Sequence, residues 1–249
     1  MAAPRVPAGY SVANFDAIDS TNEEARRRVA TGERGPLWIW AKSQTAGRGR
    51  RGREWESPEG NLMTTLLIAP GVSAPEAARL SFVTALAVHD LVAAYATRSV
   101  VRVKWPNDVL IDGKKVAGIL LESSGDAGLD VLPWVAIGIG VNLMHAPAVA
   151  QYPATFVGAH GPAPTAAEAL AELAEAWETR FRTWRVSGFG AIREAWLAVA
   201  AGLGQPIEVR LPGETLTGRF ETLMPDGALS LTLPTGERRT INAGEVFFA

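Results

Sequence analysis

The sequence predicts an α+β fold in which a β-sheet flanked by helices is followed by a small β-barrel of SH3-like size. Across residues 1–201, strand-like apolar runs alternate with segments that carry apolar residues at helical spacing. The composition then changes, and residues 207–248 contain five short strand-like runs separated by turns rich in proline and glycine. We therefore predict a larger domain over residues 1–201 and a small C-terminal domain over residues 202–249.

The composition limits the class of protein. The chain has 249 residues, of which 47% are hydrophobic and 20% are charged, as expected of a globular protein with a sizeable core. It contains neither a run of about 18 apolar residues nor a signal-like N-terminus, so we predict a cytoplasmic protein without a membrane span. The absence of cysteine excludes disulfides, thiolate catalysis and cysteine-ligated metals. A formal net charge of −2 argues against a general nucleic-acid-binding surface.

Three capping boxes predict helix starts. Ser20, Ser73 and Thr165 are each followed three positions later by glutamate, the spacing at which two side chains satisfy free amides at a helix N-terminus. Ser20 also begins a Ser-Thr-Asn triplet whose polar groups suit a ligand edge, and the two roles are compatible. Aromatic residues at helical spacing favour a hydrophobic core over a cofactor site. The predicted helices cover about residues 24–30, 73–94, 165–184 and 189–200.

A β-hairpin is expected where residues 100–111 and 114–122 flank an Asp-Gly turn. The hairpin would bring Lys115 near Asn107 and Asp108, beside a pocket. The alternative for Lys115 is an ordinary solvated turn lysine.

A long apolar strand is predicted over residues 131–142. Gly138 and Gly140 lie on one side of it and would leave a smooth groove for a flat ligand. A dinucleotide-binding loop is excluded because the third glycine of its motif is absent. Residues 146–164 are expected to form a loop over or around the pocket.

The segment from Gln44 to Trp55 alternates arginine with glycine. Glycine lets backbone amides converge, and arginine offers planar charged forks that suit phosphate or carboxylate oxygens. Arginine–glycine runs also occur in disordered RNA-binding tails, which is the alternative. Because strand-like runs at residues 37–41 and 62–68 flank the segment, we predict a tethered loop that closes over an anion and is mobile without ligand.

The candidate chemistry depends on cations and one carboxylate. No Ser/His/Asp constellation is present, and His89, His145 and His160 lack the spacing of metal ligands. Several cations and one carboxylate suit chemistry on polyphosphates. There the nucleophile is already an anion, so the site must neutralise negative charge and has less need of a general base. Activation of a carboxylate by ATP fits these groups: Arg48, Arg50, Arg53, Lys115 and Asp108.

The chain resembles biotin protein ligases. The matching motifs occur in the family's order, from about Asp16 to Asn142, and are specific as a set. The resemblance implies a mixed sheet flanked by helices, of the type seen in class II aminoacyl-tRNA synthetases, then an SH3-like domain. The motifs are Ser20-Thr21-Asn22, Gln44, Gly47–Arg53 with Trp55, Lys104–Asp108, Lys115–Ile119 and Gly138–Asn142.

The resemblance also implies a two-step reaction. ATP, with Mg²⁺, would activate biotin as biotinyl-5′-AMP, and a lysine of a biotin carboxyl carrier domain would then take the biotin. The implied catalytic residues are Lys115, Arg50 and Asp108, with Asp108 acting on the metal or on the incoming lysine. The implied biotin-binding residues are Ser20, Thr21, Asn22, Gln44, Arg48, Gly49, Arg50, Lys115 and Gly118. The implied nucleotide-binding residues are Arg48, Arg50, Arg53, Trp55, Asn107, Lys115 and Asn142, with Asn142 contacting adenine.

Several expectations concern the ends of the chain and rival functions. Only about 15 residues precede the first motif, so we expect no DNA-binding domain of the kind some family members carry and no DNA partner. The chain ends at Ala249, which puts ligand contacts from its last residues in doubt. The rival functions are lipoate or octanoate ligation, RNA binding through the arginine–glycine segment Gln44–Trp55 (the basic loop), and non-catalytic biotin sensing. The polar Ser20-Thr21-Asn22 triplet favours a ureido ring over a plain acyl chain.

Overall fold

The computed structural model describes residues 4–97, 100–124, 130–147 and 152–248. Its larger part contains a seven-stranded sheet in the order β1-β2-β3-β7-β6-β5-β4. Only the β1–β2 pair is parallel among the strand pairs of this sheet, so the sheet is mixed. The strands are β1 (Ser11–Ile18), β2 (Leu37–Gln44), β3 (Leu62–Ile68), β4 (Val101–Lys104), β5 (Asp108–Ile111), β6 (Lys114–Ser123) and β7 (Val135–Val141).

Helices cover both faces of this sheet, as the alternation of side chains along β2 requires. Trp38 and Trp40 face the main core with the helices α2 (Ala74–Ala78), α3 (Leu80–Tyr95) and α4 (Ala166–Ala198). Leu37 and Ile39 face the other side, where they pack with the short helix α1 (Thr21–Ala30). Because α1 covers only part of that second face, space remains beside it for a cavity.

The segment Ala74–Tyr95, which contains α2 and α3, is long and apolar enough to cross a membrane by length and composition alone. Most of its most apolar stretch is buried inside the fold. The residues of α3 pack in the main core with residues of the sheet and of α4.

The C-terminal part forms a second, five-stranded sheet in the order β11-β10-β9-β8-β12. All of its strand pairs are antiparallel. The α+β prediction is therefore confirmed, with a mixed sheet and helices followed by a small antiparallel β domain. The strands are β8 (Pro206–Leu211), β9 (Glu214–Leu223), β10 (Leu229–Thr232), β11 (Arg238–Ile241) and β12 (Glu245–Phe248).

Two local predictions need correction. Ser20 precedes α1, but its side chain makes no capping bond. Glu23 pairs instead with Arg48, and the Oε1 atom of Gln44 accepts the Thr21 amide at 2.8 Å. The predicted strand over 131–142 is shorter, beginning at Val135.

The other predicted helix starts agree better with the structure, although the helix expected from Ser73 to Ala94 is divided at Arg79 into α2 and α3. The Glu168 carboxylate accepts a hydrogen bond from the Thr165 amide at 2.8 Å, completing a capping box for α4. Two helices were expected over residues 165–200, and they join at Gly188, whose φ of 74° interrupts the helical geometry.

Candidate active site

A cavity lies on the face of the seven-stranded sheet that α1 leaves uncovered. Its floor is formed by β6 and β7, where glycines have no side chains that would fill the cavity. The basic loop forms one wall. The C-terminal domain closes another side through β12. Thirteen of the fourteen predicted site residues line this cavity: Ser20, Thr21, Asn22, Gln44, Arg48, Gly49, Arg50, Arg53, Trp55, Asn107, Asp108, Lys115 and Gly118.

The basic loop has a defined conformation that begins and ends at the sheet. The Trp55 amide donates to the Gly47 carbonyl at 2.9 Å, and the Gly49 amide donates to the Arg53 carbonyl at 2.7 Å. A Cβ atom at Gly47 would lie 2.5 Å from the Trp55 carbonyl oxygen, so this close crossing requires glycine. The loop is therefore folded back on itself, and Arg48, Arg50 and Arg53 line the cavity.

Glu245 of β12 links the basic loop to the C-terminal domain. Its carboxylate pairs with Arg53 and lies 3.3 Å from the Arg51 guanidinium. Arg53, predicted to contact phosphate, therefore has a protein counter-ion in this structure.

The predicted biotin-binding triplet forms a buried polar network. The Thr65 hydroxyl donates to Asn22 Oδ1 at 2.5 Å and lies 2.8 Å from the Thr21 hydroxyl. Gln44 Oε1 accepts from the Thr21 hydroxyl at 3.1 Å, and its amide donates to Ser57. These contacts fix the side chains at one end of the cavity, with Ser20 beside them.

Asp108 lies between two lysines at the other end. Its Oδ1 atom is 2.7 Å from Lys115 Nζ, and its Oδ2 atom is 3.0 Å from Lys104 Nζ. The hairpin produces this arrangement, because Asp108 pairs with Lys104 across β4–β5 and with Gly118 across β5–β6. The predicted proximity of Lys115 to Asp108 is thus observed.

Opposing effects set the protonation of this cluster. Burial alone would raise the pKa of Asp108, but the positive charges of Lys115 and Lys104 outweigh it and hold that pKa below its usual value. Burial lowers the pKa of Lys104, against the attraction of Asp108. Asp108 is therefore ionised at neutral pH, with both oxygens engaged by ammonium groups.

Arg50 and Asn107 connect this cluster to the basic loop. The Arg50 guanidinium donates to Asn107 Oδ1 at 3.1 Å, and the Asn107 amide donates to the Ile119 carbonyl at 2.7 Å. Burial, followed by the charge of Arg51, lowers the pKa of Arg50, although arginine stays charged. A partly desolvated guanidinium attracts an anion strongly.

Gly138 and Gly140 line the cavity, as predicted for this strand, but two protein side chains lie directly against them. A Cβ atom at Gly140 would lie 2.4 Å from the Trp55 indole, and one at Gly138 would lie 2.4 Å from Asn22 Oδ1. The glycines therefore make room for Trp55 and Asn22. The Trp55 ring also lies 5.5 Å from the Lys115 ammonium.

Asn142, predicted to contact adenine, lies outside the cavity wall. Its side-chain amide donates to the Thr155 carbonyl at 3.0 Å, and its backbone amide donates to Val116. Part of the loop over 146–164, at residues 148–151, lies outside the described residues. The adenine contact of Asn142 stays a prediction.

Sequence reasoning did not assign four further residues of the cavity wall: Lys104, Tyr152, Glu245 and Phe247. Lys104 was detectable from the Lys104–Asp108 motif, although its pairing with Asp108 across β4–β5 was not predicted. The other three reach the cavity through tertiary packing of β12 and the loop after β7, which leaves no local sequence pattern.

The predicted metal role of Asp108 does not fit this arrangement. Both carboxylate oxygens are occupied by lysines, and a divalent cation there would lie beside two positive charges. Among the residues that the structure describes, no group of three His, Cys, Asp or Glu side chains is placed to hold a metal ion.

Comparisons with known proteins identify the family. Residues 15–142 match the Biotin/lipoate A/B protein ligase family, and residues 202–249 match the Biotin protein ligase C terminal domain. The chain is 47% identical over 241 residues to a biotin–[acetyl-CoA-carboxylase] ligase of Paracoccus denitrificans, a match covering 92% of this chain and 97% of that relative. It is 31% identical over 234 residues to the bifunctional ligase/repressor BirA of Bacillus spizizenii, covering 92% and 71%.

A solved structure agrees with these matches. The biotin protein ligase of Aquifex aeolicus in complex with biotin and ATP superposes with a TM-score of 0.81 at 26% identity, covering 95% of this chain and 97% of that one. The chain therefore belongs to the biotin/lipoate A/B protein ligase family, as a biotin protein ligase.

Proposed function

We propose that the cavity activates biotin with ATP and then transfers it to a lysine of a biotin carboxyl carrier domain. The observation that carries this proposal is the 2.7 Å contact between Lys115 Nζ and Asp108 Oδ1, at a cavity walled by the basic loop. The similarity to ligases of this activity supports the substrates. The polar network around Thr21 and Asn22 offers both donors and acceptors, as a ureido ring requires.

In the first half-reaction, the biotin carboxylate attacks the α-phosphorus of ATP, and pyrophosphate leaves. Lys115 and Arg50 would neutralise charge as it moves onto the transferring and leaving oxygens. Trp55 would pack against the adenylate, and Arg48 and Gly49 would wrap its carboxylate and phosphate. Mg²⁺, brought by the nucleotide, would neutralise phosphate charge.

In the second half-reaction, the acceptor lysine attacks the acyl carbon of the adenylate, and AMP leaves. The acceptor ammonium must first lose a proton, which passes to the Asp108 carboxylate or to water. When Lys115 turns to the phosphate, Oδ1 of Asp108 becomes free to accept a hydrogen bond from the incoming amine. The attack forms an amide between biotin and the carrier lysine.

The proposal is tested by incubating the chain with biotin, Mg-ATP and a carrier domain, followed by mass measurement of the carrier. We expect the mass of one added biotin. A carrier that gains lipoate instead, when both acids are offered, would contradict the biotin assignment and support the lipoate alternative.

Arg50→Ala should release the adenylate. Removing a charge-assisted contact of about 1.5–3 kcal/mol should speed dissociation of biotinyl-5′-AMP by about 10- to 100-fold. The measurement is the dissociation rate of radiolabelled adenylate. Arg102→Ala is the matched control, because Arg102 donates to the Val101 carbonyl outside the cavity. Wild-type retention by Arg50→Ala would contradict the anion-binding role of the loop.

Gly140→Ala should weaken nucleotide binding. The added Cβ atom would lie 2.4 Å from the Trp55 indole, a distance that forces the ring to move. Calorimetric titration with ATP measures the effect. Gly190→Ala is the control, since nothing lies within 4 Å of a Cβ atom at that helical glycine. Equal affinities in both variants would show that the Trp55 position is unimportant for the nucleotide.

A further inference from the structure

The Lys104 ammonium lies in an aromatic pocket at the edge of the cavity. The Tyr152 ring centroid is 3.8 Å from Nζ, and the Phe247 centroid is 6.0 Å away. The Val246 carbonyl accepts a hydrogen bond from Nζ at 3.3 Å, and Asp108 Oδ2 lies at 3.0 Å. Lys104 is thus held closely by the Tyr152 ring and two oxygens, while the Phe247 ring borders it at longer range and also stacks with the Arg210 guanidinium at 3.9 Å. Cation–π attraction of this kind strengthens when water is excluded.

Two separate parts of the chain supply this pocket. Tyr152 comes from the loop after β7, whereas Val246 and Phe247 belong to β12 of the C-terminal domain. The Tyr152 and Phe247 centroids are 6.1 Å apart, and Phe248 packs on Tyr152 at 6.5 Å. The aromatic groups therefore support one another across the boundary between the two sheets.

The two lysines on Asp108 differ in their freedom. The Lys115 side chain is 27% exposed and lies 5.5 Å from the Trp55 ring. The Lys104 side chain is 7% exposed and is enclosed by the aromatic pocket. Lys115 can turn toward a ligand, whereas Lys104 is held in place and fixes one oxygen of Asp108.

We propose that Tyr152 and Phe247 are positioning residues, which cage the Lys104 ammonium against Oδ2 of Asp108 so that Oδ1 faces the acceptor amine. The inference rests on the proposed function, because it assigns Asp108 to the transfer step. It also gives the C-terminal domain a direct part in the chemistry. Through Val246 and Phe247, this domain completes the surroundings of the caged lysine.

The test separates the rate of transfer from carrier binding, using preformed adenylate and a carrier domain. Tyr152→Leu removes the ring and should lower kcat for transfer by roughly tenfold, because Lys104 loses its cation–π contact, with KM for the carrier unchanged. Tyr152→Phe keeps the ring and should restore most of the rate. Tyr95→Leu is the matched control, because Tyr95 ends α3 and bonds Glu172 away from the cavity.

A second variant keeps the test decisive if Tyr152→Leu is poorly folded. Lys104→Met removes the caged charge and should lower kcat at least as much, again with KM unchanged. An unaltered kcat in Lys104→Met would contradict the positioning role of Lys104. A Tyr152→Phe variant as slow as Tyr152→Leu would contradict the positioning role of the Tyr152 ring. If the wild-type chain makes no biotinylated carrier, the proposed function itself fails, which is a different result.

Discussion

Replacement of Lys115 by alanine is expected to slow adenylate formation by about 100-fold or more while the fold persists. Lys115 is the more exposed of the two cations on Asp108 and borders the cavity, so it is available to a phosphate. Its loss removes a donor placed where charge develops. Pyrophosphate release under single-turnover conditions measures the effect.

Lys114→Ala is the matched control for this experiment. Lys114 is the neighbouring residue on β6, but it is exposed and does not line the cavity. We expect it to retain the wild-type rate. Equal rates for the two variants would contradict a catalytic role for Lys115 and would support the alternative, that Lys115 is an ordinary solvated lysine of the hairpin.

Replacement of Asp108 by asparagine is expected to have the second large effect, on stability and on transfer. The change leaves Lys104 buried without its counter-ion, and breaking a buried pair in this way costs about 3–5 kcal/mol. The transfer rate should fall by about 100-fold or more if the carboxylate prepares the acceptor amine. Denaturant unfolding and transfer from preformed adenylate are the two measurements.

Asp16→Asn is the control for stability. Asp16 pairs with Lys42 at 2.5 Å, but its side chain is 88% exposed, so we expect stability near that of the wild type. An Asp108→Asn variant as stable as Asp16→Asn, with normal transfer, would contradict both assignments.

Asp108 also predicts how stability depends on pH. Its pKa is lowered in the folded protein, so its contribution is fully present above the unfolded carboxyl pKa and is lost as pH falls through the lower folded value. This contribution should be missing from the acid unfolding curve of Asp108→Asn.

Much of the fold and site was predictable because the information is local. The hairpin that joins Asp108 to Lys115 follows from strand propensity and an Asp-Gly turn. The glycines of β7 and the basic loop are equally visible in the sequence, since close backbone approach requires residues without side chains. These features account for the placement of most predicted site residues.

What the sequence did not predict depends on contacts between distant segments. Glu23 satisfies the spacing of a capping box, yet it pairs with Arg48, because a charged partner arrives from the basic loop. Gly138 and Gly140 predicted a smooth wall for a flat ligand, and they do line the cavity, but Asn22 and Trp55 occupy the space above them. The contribution of Phe247 required the docking of a whole domain.

The retention of the intermediate tests the central claim most directly. Native mass measurement of the chain after incubation with biotin and Mg-ATP, without a carrier, should detect a complex with one biotinyl-5′-AMP. Addition of the carrier domain should then discharge this complex and biotinylate the carrier. A chain that binds both substrates but never holds the adenylate would contradict the account of one cavity that performs both steps.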